Sequence, residues 1–249
     1  MYHILNGDSL ALRFPDAHIE GDVIIFREAF IEGDVSGNSL HDLWQSRARF
    51  MGLTEEIYRN QIVTELEKIG SAPDDSVFNL WFEYDLFCQV NMWFVISMIK
   101  NLSIRKKVYA VYTSYLHPTH NQFWNGFGQA NAADLKICYD GRILLSEVEL
   151  QLGHDLWTAY KSNNLEELIR LSKIPSPAFP YLQQVVNAHA ERFPKDGIKG
   201  RPERVLEDII KNRSTDFHKV FEEFWNRESI YGFGDVQLRH LYDKVMSSI

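Results

Sequence analysis

Eight polar side chains stand where three apolar runs break off. Asn6, Asp8 and Ser9 follow Tyr2-His3-Ile4-Leu5, Arg27 and Glu28 follow Val23-Ile24-Ile25-Phe26, and Glu83, Asp85 and Gln89 follow Val77-Phe78-Asn79-Leu80-Trp81-Phe82. Short apolar runs separated by helical stretches read as buried parallel strands. In open α/β sheets ligands bind beyond the carboxyl ends of such strands. The expectation is that all eight residues line one crevice there. Asp8, Arg27, Glu83 and Gln89 would then hold a small polar or phosphorylated ligand, with or without turnover. Carboxylates gathered at strand ends also suit an oxygen-seeking ion such as Mg²⁺, and ordinary salt bridges and caps are the third reading. No pair has a spacing that demands a metal, so no metal ligand is assigned. No catalytic residue and no cofactor is assigned either.

Asn6-Gly7-Asp8-Ser9-Leu10 resembles the first block of GDSL-type hydrolases, which would make Ser9 a nucleophile needing a histidine base. The late Asp-x-x-His block of those enzymes is absent: no histidine has an aspartate three residues before it. The local reading is that Gly7 permits a tight turn and that Asp8 or Ser9 caps the next helical turn. There is no Walker lysine motif and no G-x-G-x-x-G after a strand, since Gly126-Phe127-Gly128 lacks the third glycine. His117-Pro118-Thr119-His120 is a loose pair that reads as a surface loop. No Cys/His pattern suggests zinc. Cys88 and Cys138 make no disulfide framework, and Cys88 reads as a small core residue.

The elements that must position these residues follow a β-α-β-α-β-α-β order. Ser39 can cap a helix through Leu40, Leu43, Trp44, Arg47 and Phe50. Thr54 opens a helix that ends at Gly70, and a third runs from about Asp85 to Leu102. Lys107 to Thr113 is the fourth strand. This is the order of a Rossmann-like, mainly parallel sheet, assigned to residues 1–125. In the third strand, Trp81 and Phe82 face opposite helical layers, and both are expected in the core.

Residues 126–249 are expected to be all helical. Asn131 can cap a helix through Leu135 and Cys138, the alternative being a hairpin at Asp140-Gly141. Ser146-Glu147-Val148-Glu149 is a capping box. Asn164 starts a short helix, and Pro175, Pro177 and Pro180 stiffen the connection to the next. Arg201 to Asn212, Asp216 to Arg227 and Asp235 to Met246 would form a three-helix, helix-turn-helix-like unit at about 197–249. Phe217, Val220, Phe221 and Phe224 share one face, as do Leu238, Leu241, Tyr242 and Val245. The last helix carries Gln237, Arg239, His240 and Lys244, but also Asp235 and Asp243, and so gives little attraction for phosphate. The expectation is packing on the rest of the chain.

The net charge of −8 does not suit a protein held on nucleic acid mainly through phosphates. From Tyr181 onward there are 11 Lys/Arg and 11 Asp/Glu; taken from totals of 26 and 34, these leave 15 and 23 for the remainder, which carries the whole imbalance. Nucleic acid is therefore the less favoured partner. The longest apolar stretch, Val90 to Ile99, is too short for a membrane span of about 20 residues and is broken by Asn91 and Ser97. A cytoplasmic location and no membrane association are expected.

Four blocks in order resemble the bacterial domain-of-unknown-function family 1835. They are His3-Ile4-Leu5-Asn6-Gly7-Asp8-Ser9-Leu10, Arg27-Glu28 with Glu32-Gly33-Asp34, Trp44-x-x-Arg47-Ala48-Arg49-Phe50, and Leu80-Trp81-Phe82-Glu83-x-Asp85-Leu86-Phe87-x-Gln89-Val90-Asn91. Asp34 stands where the family pattern has Pro. The resemblance implies the architecture and places the site; it assigns no activity. Two functions stay open: a small-molecule site in the first half, or a regulatory or interaction protein whose C-terminal helices meet a protein or DNA.

Overall fold

Each N-terminal apolar run forms a strand in the computed structural model, which describes residues 1–113 and 126–248. The His117-Pro118-Thr119-His120 pair and Asn125 lie outside the described residues. Strands β1 (Tyr2–Asn6), β2 (Asp22–Phe26), β3 (Ser76–Trp81) and β4 (Lys106–Val111) pair in parallel in the order β2-β1-β3-β4. β1 sits between β2 and β3, with Ile4 opposite both Ile24 and Leu80. The chain therefore leaves β1 toward one side for β2 and returns on the other side for β3. At that reversal the carboxyl ends of β1 and β3 face a split between connections, the usual place for a ligand in such sheets.

Alternation along the strands fills two layers. Ile4, Ile24, Phe26, Phe78, Leu80, Val108 and Ala110 belong to the larger core. Leu5, Trp81 and Val111 face a smaller one with Leu10, Phe14, Phe127, Leu135 and Cys138. Trp81 and Phe82 are both fully buried, in different layers, as expected. The Trp81 indole donates to His3 Nδ1 at 3.1 Å, and His3 Nε2 lies 2.9 Å from the Glu20 carbonyl oxygen, which fixes a neutral imidazole protonated at Nε2.

The helices are α1 (Asp8–Arg13), α2 (Leu40–Phe50), α3 (Glu55–Tyr58), α4 (Thr64–Gly70), α5 (Leu86–Lys100), α6 (Ala132–Asp140), α7 (Glu147–Lys161), α8 (Leu165–Leu171), α9 (Leu182–Glu191), α10 (Arg201–Asn212), α11 (Phe217–Glu228) and α12 (Asp235–Met246). One wide helical turn, Arg59–Val63, joins α3 to α4. Reciprocal capping boxes open α2 at Ser39 with Asp42 and α7 at Ser146 with Glu149, and Asn164 caps α8. α7 lies against α5 because Gly153 has no side chain: a Cβ there would stand 2.7 Å from Ile96 Cγ2.

Two expectations need correction. The second half is not all helical: β5 (Ile143–Leu144) pairs antiparallel on β4, and Leu145 N donates to Val108 O at 2.8 Å. Two residues are too few to show alternation, so backbone pairing at the sheet edge makes this strand without a side-chain signal. α6 precedes it, so Asp140-Gly141 is a helix end. Nor does Asp8 or Ser9 cap α1. Gly7 is the cap residue, with no side-chain cap bond, because the Asp8 carboxylate is engaged by Arg27. One apolar core runs through both halves, from Ile4 to Val245. No helix of the described residues is long and apolar enough to cross a membrane.

Candidate functional site at the carboxyl ends of β1 and β3

Asn6 ends β1, and Glu83 and Asp85 lie between β3 and α5. Asp85 caps α5 by accepting from Cys88 N at 2.9 Å, which turns the first helical turn back toward Glu83. Ligating atoms of Glu83, Asp85 and Cys88 therefore lie within 4.8 Å of one another. The Cys88 thiol donates to Glu83 Oε2 at 2.9 Å, and Asn6 Nδ2 donates to Cys88 Sγ at 3.1 Å. Gln89 Nε2 donates to the Glu83 carbonyl at 2.7 Å. Asn91 Nδ2 reaches Asn6 Oδ1 at 3.1 Å and the Glu28 carbonyl at 2.9 Å, tying the ends of β1 and β2 to α5.

Two glycine turns close over the carboxyl groups. Gly126, at φ +60°, brings its backbone against Glu83: a Cβ there would lie 2.6 Å from Glu83 Oε1, while Phe127 N donates to that oxygen at 3.1 Å. Gly232, at φ +63°, lies against Asp85 so closely that a Cβ would overlap its carboxyl group.

Burial decides the protonation here. It pushes the Asp85 carboxyl up to about 7, with the neighbouring Glu83 adding to the effect and the bond from Cys88 N opposing it. Burial, then Asp85 and Glu83, push the Cys88 thiol well above its ordinary value, so it is a thiol and not a thiolate. Near neutral pH, Asp85 is poised between acid and base beside a second carboxylate, a pairing suited to moving a proton. The same three side chains offer two oxygens and a sulfur to a borderline-soft divalent cation. Loading such a cation would expel the protons held by Cys88 and Asp85.

The other sequence-predicted residues are placed differently. Asp8 and Arg27 pair at 2.8 Å near the surface, with side chains 60% and 31% exposed, and Arg27 Nη1 also donates to the Gln61 carbonyl at 3.1 Å. Ser9 is exposed beside them. Glu28 turns inward. It is 2% exposed, accepts from Arg47 Nη2 at 2.8 Å and Nε at 3.1 Å, and takes the Tyr58 hydroxyl at 2.5 Å. Arg47 is itself fully buried and lies over the Phe50 ring at 4.7 Å. Of the eight residues, Asn6, Glu83, Asp85 and Gln89 form the inner cluster. Asp8 and Arg27 form a separate pair near the surface with Ser9 exposed next to Asp8 in the chain, and Glu28 belongs to a closed core pair.

Sequence reasoning missed Cys88 and Asn91 as members of the cluster. Asn91 had a signal, being a carboxamide inside an otherwise apolar helix. So did Cys88, three residues past a capping aspartate. Gly232 had none, because its partner lies far away in the chain.

The last helix uses its polar side chains on the protein itself. Gln237 Oε1 accepts from Gly234 N at 3.2 Å, and Arg239 lies 3.4 Å over the Phe217 ring. His240 stands 3.5 Å from Glu32, and Lys244 is 2.7 Å from Glu203. Comparison with known proteins gives the chain no relative: no family model matches it, and neither a curated protein nor a solved structure does so.

Proposed function

We propose that the protein binds a small polar ligand at the carboxyl ends of β1 and β3, in a Rossmann-like arrangement. The convergence of Glu83, Asp85 and Cys88 beside Asn6, at the point where the strand order reverses, carries this reading. A ligand with donor and acceptor groups would meet Glu83 as acceptor, Asn6 and Gln89 as amides, and Asp85 in either protonation state. The Asp8–Arg27 pair at the rim supplies a guanidinium for a phosphoryl or carboxylate group once Asp8 yields it. We read the four N-terminal sequence blocks as kinship with family 1835, which agrees with a site here. Asp85 would act as the proton-transferring group if there is turnover.

A thermal-shift panel of nucleotides, sugar phosphates, sugars and divalent ions tests this reading. A ligand specific to the folded state raises stability by about 2.7 kcal/mol at a hundredfold excess over its Kd. The stabilising compound should lose its effect in Asn6→Ala.

We read the helix-turn-helix-like unit formed by α10, α11 and α12 as an internal interface. The engagement of Gln237, Arg239, His240 and Lys244 by the chain itself favours this over reading DNA, which needs free base and phosphate contacts. Absence of sequence-selective mobility shifts at low salt is the expected outcome.

A further inference from the structure

A second cleft lies along the C-terminal half of α5, about three helical turns from Asp85 at 3.6 residues per turn. It has a volume of about 390 Å³ and is formed where α2, α4, α5 and α7 meet. Its walls are mainly apolar and include Leu43, Ile69, Phe94, Met98 and Trp157. Among the polar residues set into these walls, Ser97 from α5 and His154 from α7 pair, with Ser97 Oγ 2.9 Å from His154 Nδ1. The close approach of the helices at Gly153, one residue before His154, brings the pair together.

The charge of this cleft differs from that of the chain. The protein has 34 acidic residues and a net charge of −8, yet no aspartate or glutamate is among the described residues that line the cleft. Lys161 is its one permanently charged side chain among those residues. Lys161 Nζ donates to the Gly37 carbonyl at 3.0 Å, which occupies one of its three donors. Burial and the nearby Lys100 hold His154 below its ordinary value, so the imidazole is neutral near pH 7 and Lys161 sets the sign.

An apolar cleft of this size with a few convergent polar groups is the usual form of a small-molecule site. We propose that this cleft binds a small apolar carboxylate, an aryl or short alkyl acid, with its body against Phe94 and Trp157 and its head toward Lys161, Ser97 and His154. The carboxylate pairs with the lysine at the cleft rim, and Ser97 and His154 supply further hydrogen-bonding capacity in the wall. An amine would meet Lys161 with like charge, and an alcohol would leave the ammonium without a counter-ion. This inference does not rest on the site at β1 and β3.

Calorimetric titration of the full chain with 3-phenylpropanoate, hexanoate, 3-phenylpropanol and 3-phenylpropylamine tests it. Gly70→Leu serves as the blocking variant. Gly70 lines the cleft at the end of α4, and a Cβ there meets nothing within 4 Å, so a leucine adds bulk at the cleft edge without displacing a neighbour. Lys161→Met is the second variant, removing the charge at the cleft rim. The expected result is saturable binding of the two acids, lost in Gly70→Leu and weakened about tenfold or more in Lys161→Met, with the alcohol and amine weaker than the acids by a similar factor. The proposal is overturned by no binding of either acid, by equal binding of the amine, or by acid binding that Lys161→Met leaves unchanged. Asn6→Ala, at the other site, should leave acid binding as it is; its loss there would place the acid at β1 and β3 instead.

Discussion

Gly232 lies on the carboxyl group of Asp85. The turn after α11 places a left-handed glycine, φ +63°, where any side chain would overlap Asp85. The turn between α11 and α12 therefore sets its backbone against the head of α5. Gly232→Ala meets two costs at once, a positive φ and a steric overlap. It should destabilise the chain by about 3 kcal/mol or more. In Asp85→Ala/Gly232→Ala the overlap with the carboxyl group is gone, leaving the lost α5 cap, the positive φ and a 3.1 Å approach of the two Cβ atoms, so the two changes should be strongly non-additive. Denaturant titration of the four chains measures this. Additive losses would show that the two residues do not press on one another.

Asp85 makes stability depend on pH with a definite sign. Its folded value near 7 lies above the value of about 3.9 expected in an unfolded chain. Between these values the folded chain holds a proton that the unfolded chain lacks, so this carboxyl's contribution rises as pH falls through 7. Asp85→Asn, neutral at every pH and still able to cap α5, should exceed the unaltered chain in stability at pH 8, and that advantage should shrink steadily toward pH 5 and vanish only below the unfolded value of about 3.9. The buried histidines act in the opposite direction. Burial pulls His189 down to about 3 and lowers His3 and His154. The unfolded chain then takes up those protons first, and stability falls below about pH 6.5. Comparing the variant with the unaltered chain at each pH cancels the histidines. A stability gap that stays constant from pH 8 to pH 5 would show Asp85 to be ionised throughout.

Glu28 and Arg47 form a fully buried ion pair, completed by Tyr58 and by the Ala29 carbonyl, which accepts from Arg47 Nη2 at 3.2 Å. Arg47→Met leaves a carboxylate without its cation and should cost about 3–5 kcal/mol. The double variant Glu28→Met/Arg47→Met removes both charges and should cost less than Arg47→Met alone. Chemical denaturation of both variants checks this, and a double variant worse than the single one would contradict it.

These two glutamates show how far the sequence could be read. Glu28 and Glu83 both follow apolar strands and look equivalent there. The parallel sheet puts both at one edge, as the strand pattern implies. What separates them is the rotation of each chain as it leaves its strand. Glu28 meets Arg47 on a helix whose spacing is legible, but the helix's placement is a tertiary fact. Capping residues at Ser39, Ser146 and Asn164 were readable because the signal and its structure lie within three residues of each other. β5 and the Gly232 contact were not, since each depends on a partner far along the chain and neither has local periodicity. The aromatic pair Trp81 and Phe82 was readable because a central strand must bury both faces.

The most direct test of the account is ligand binding to the unaltered chain and to Glu83→Gln. The compound that gives the largest thermal shift in the panel is titrated into both, with Arg27→Met as a rim control. Glu83→Gln should weaken binding by about tenfold or more, in line with loss of a charge-assisted hydrogen bond of roughly 1.5–3 kcal/mol. Arg27→Met should weaken phosphorylated or carboxylated ligands only. Binding of equal affinity in all three chains would contradict the account and move the ligand away from the carboxyl ends of β1 and β3.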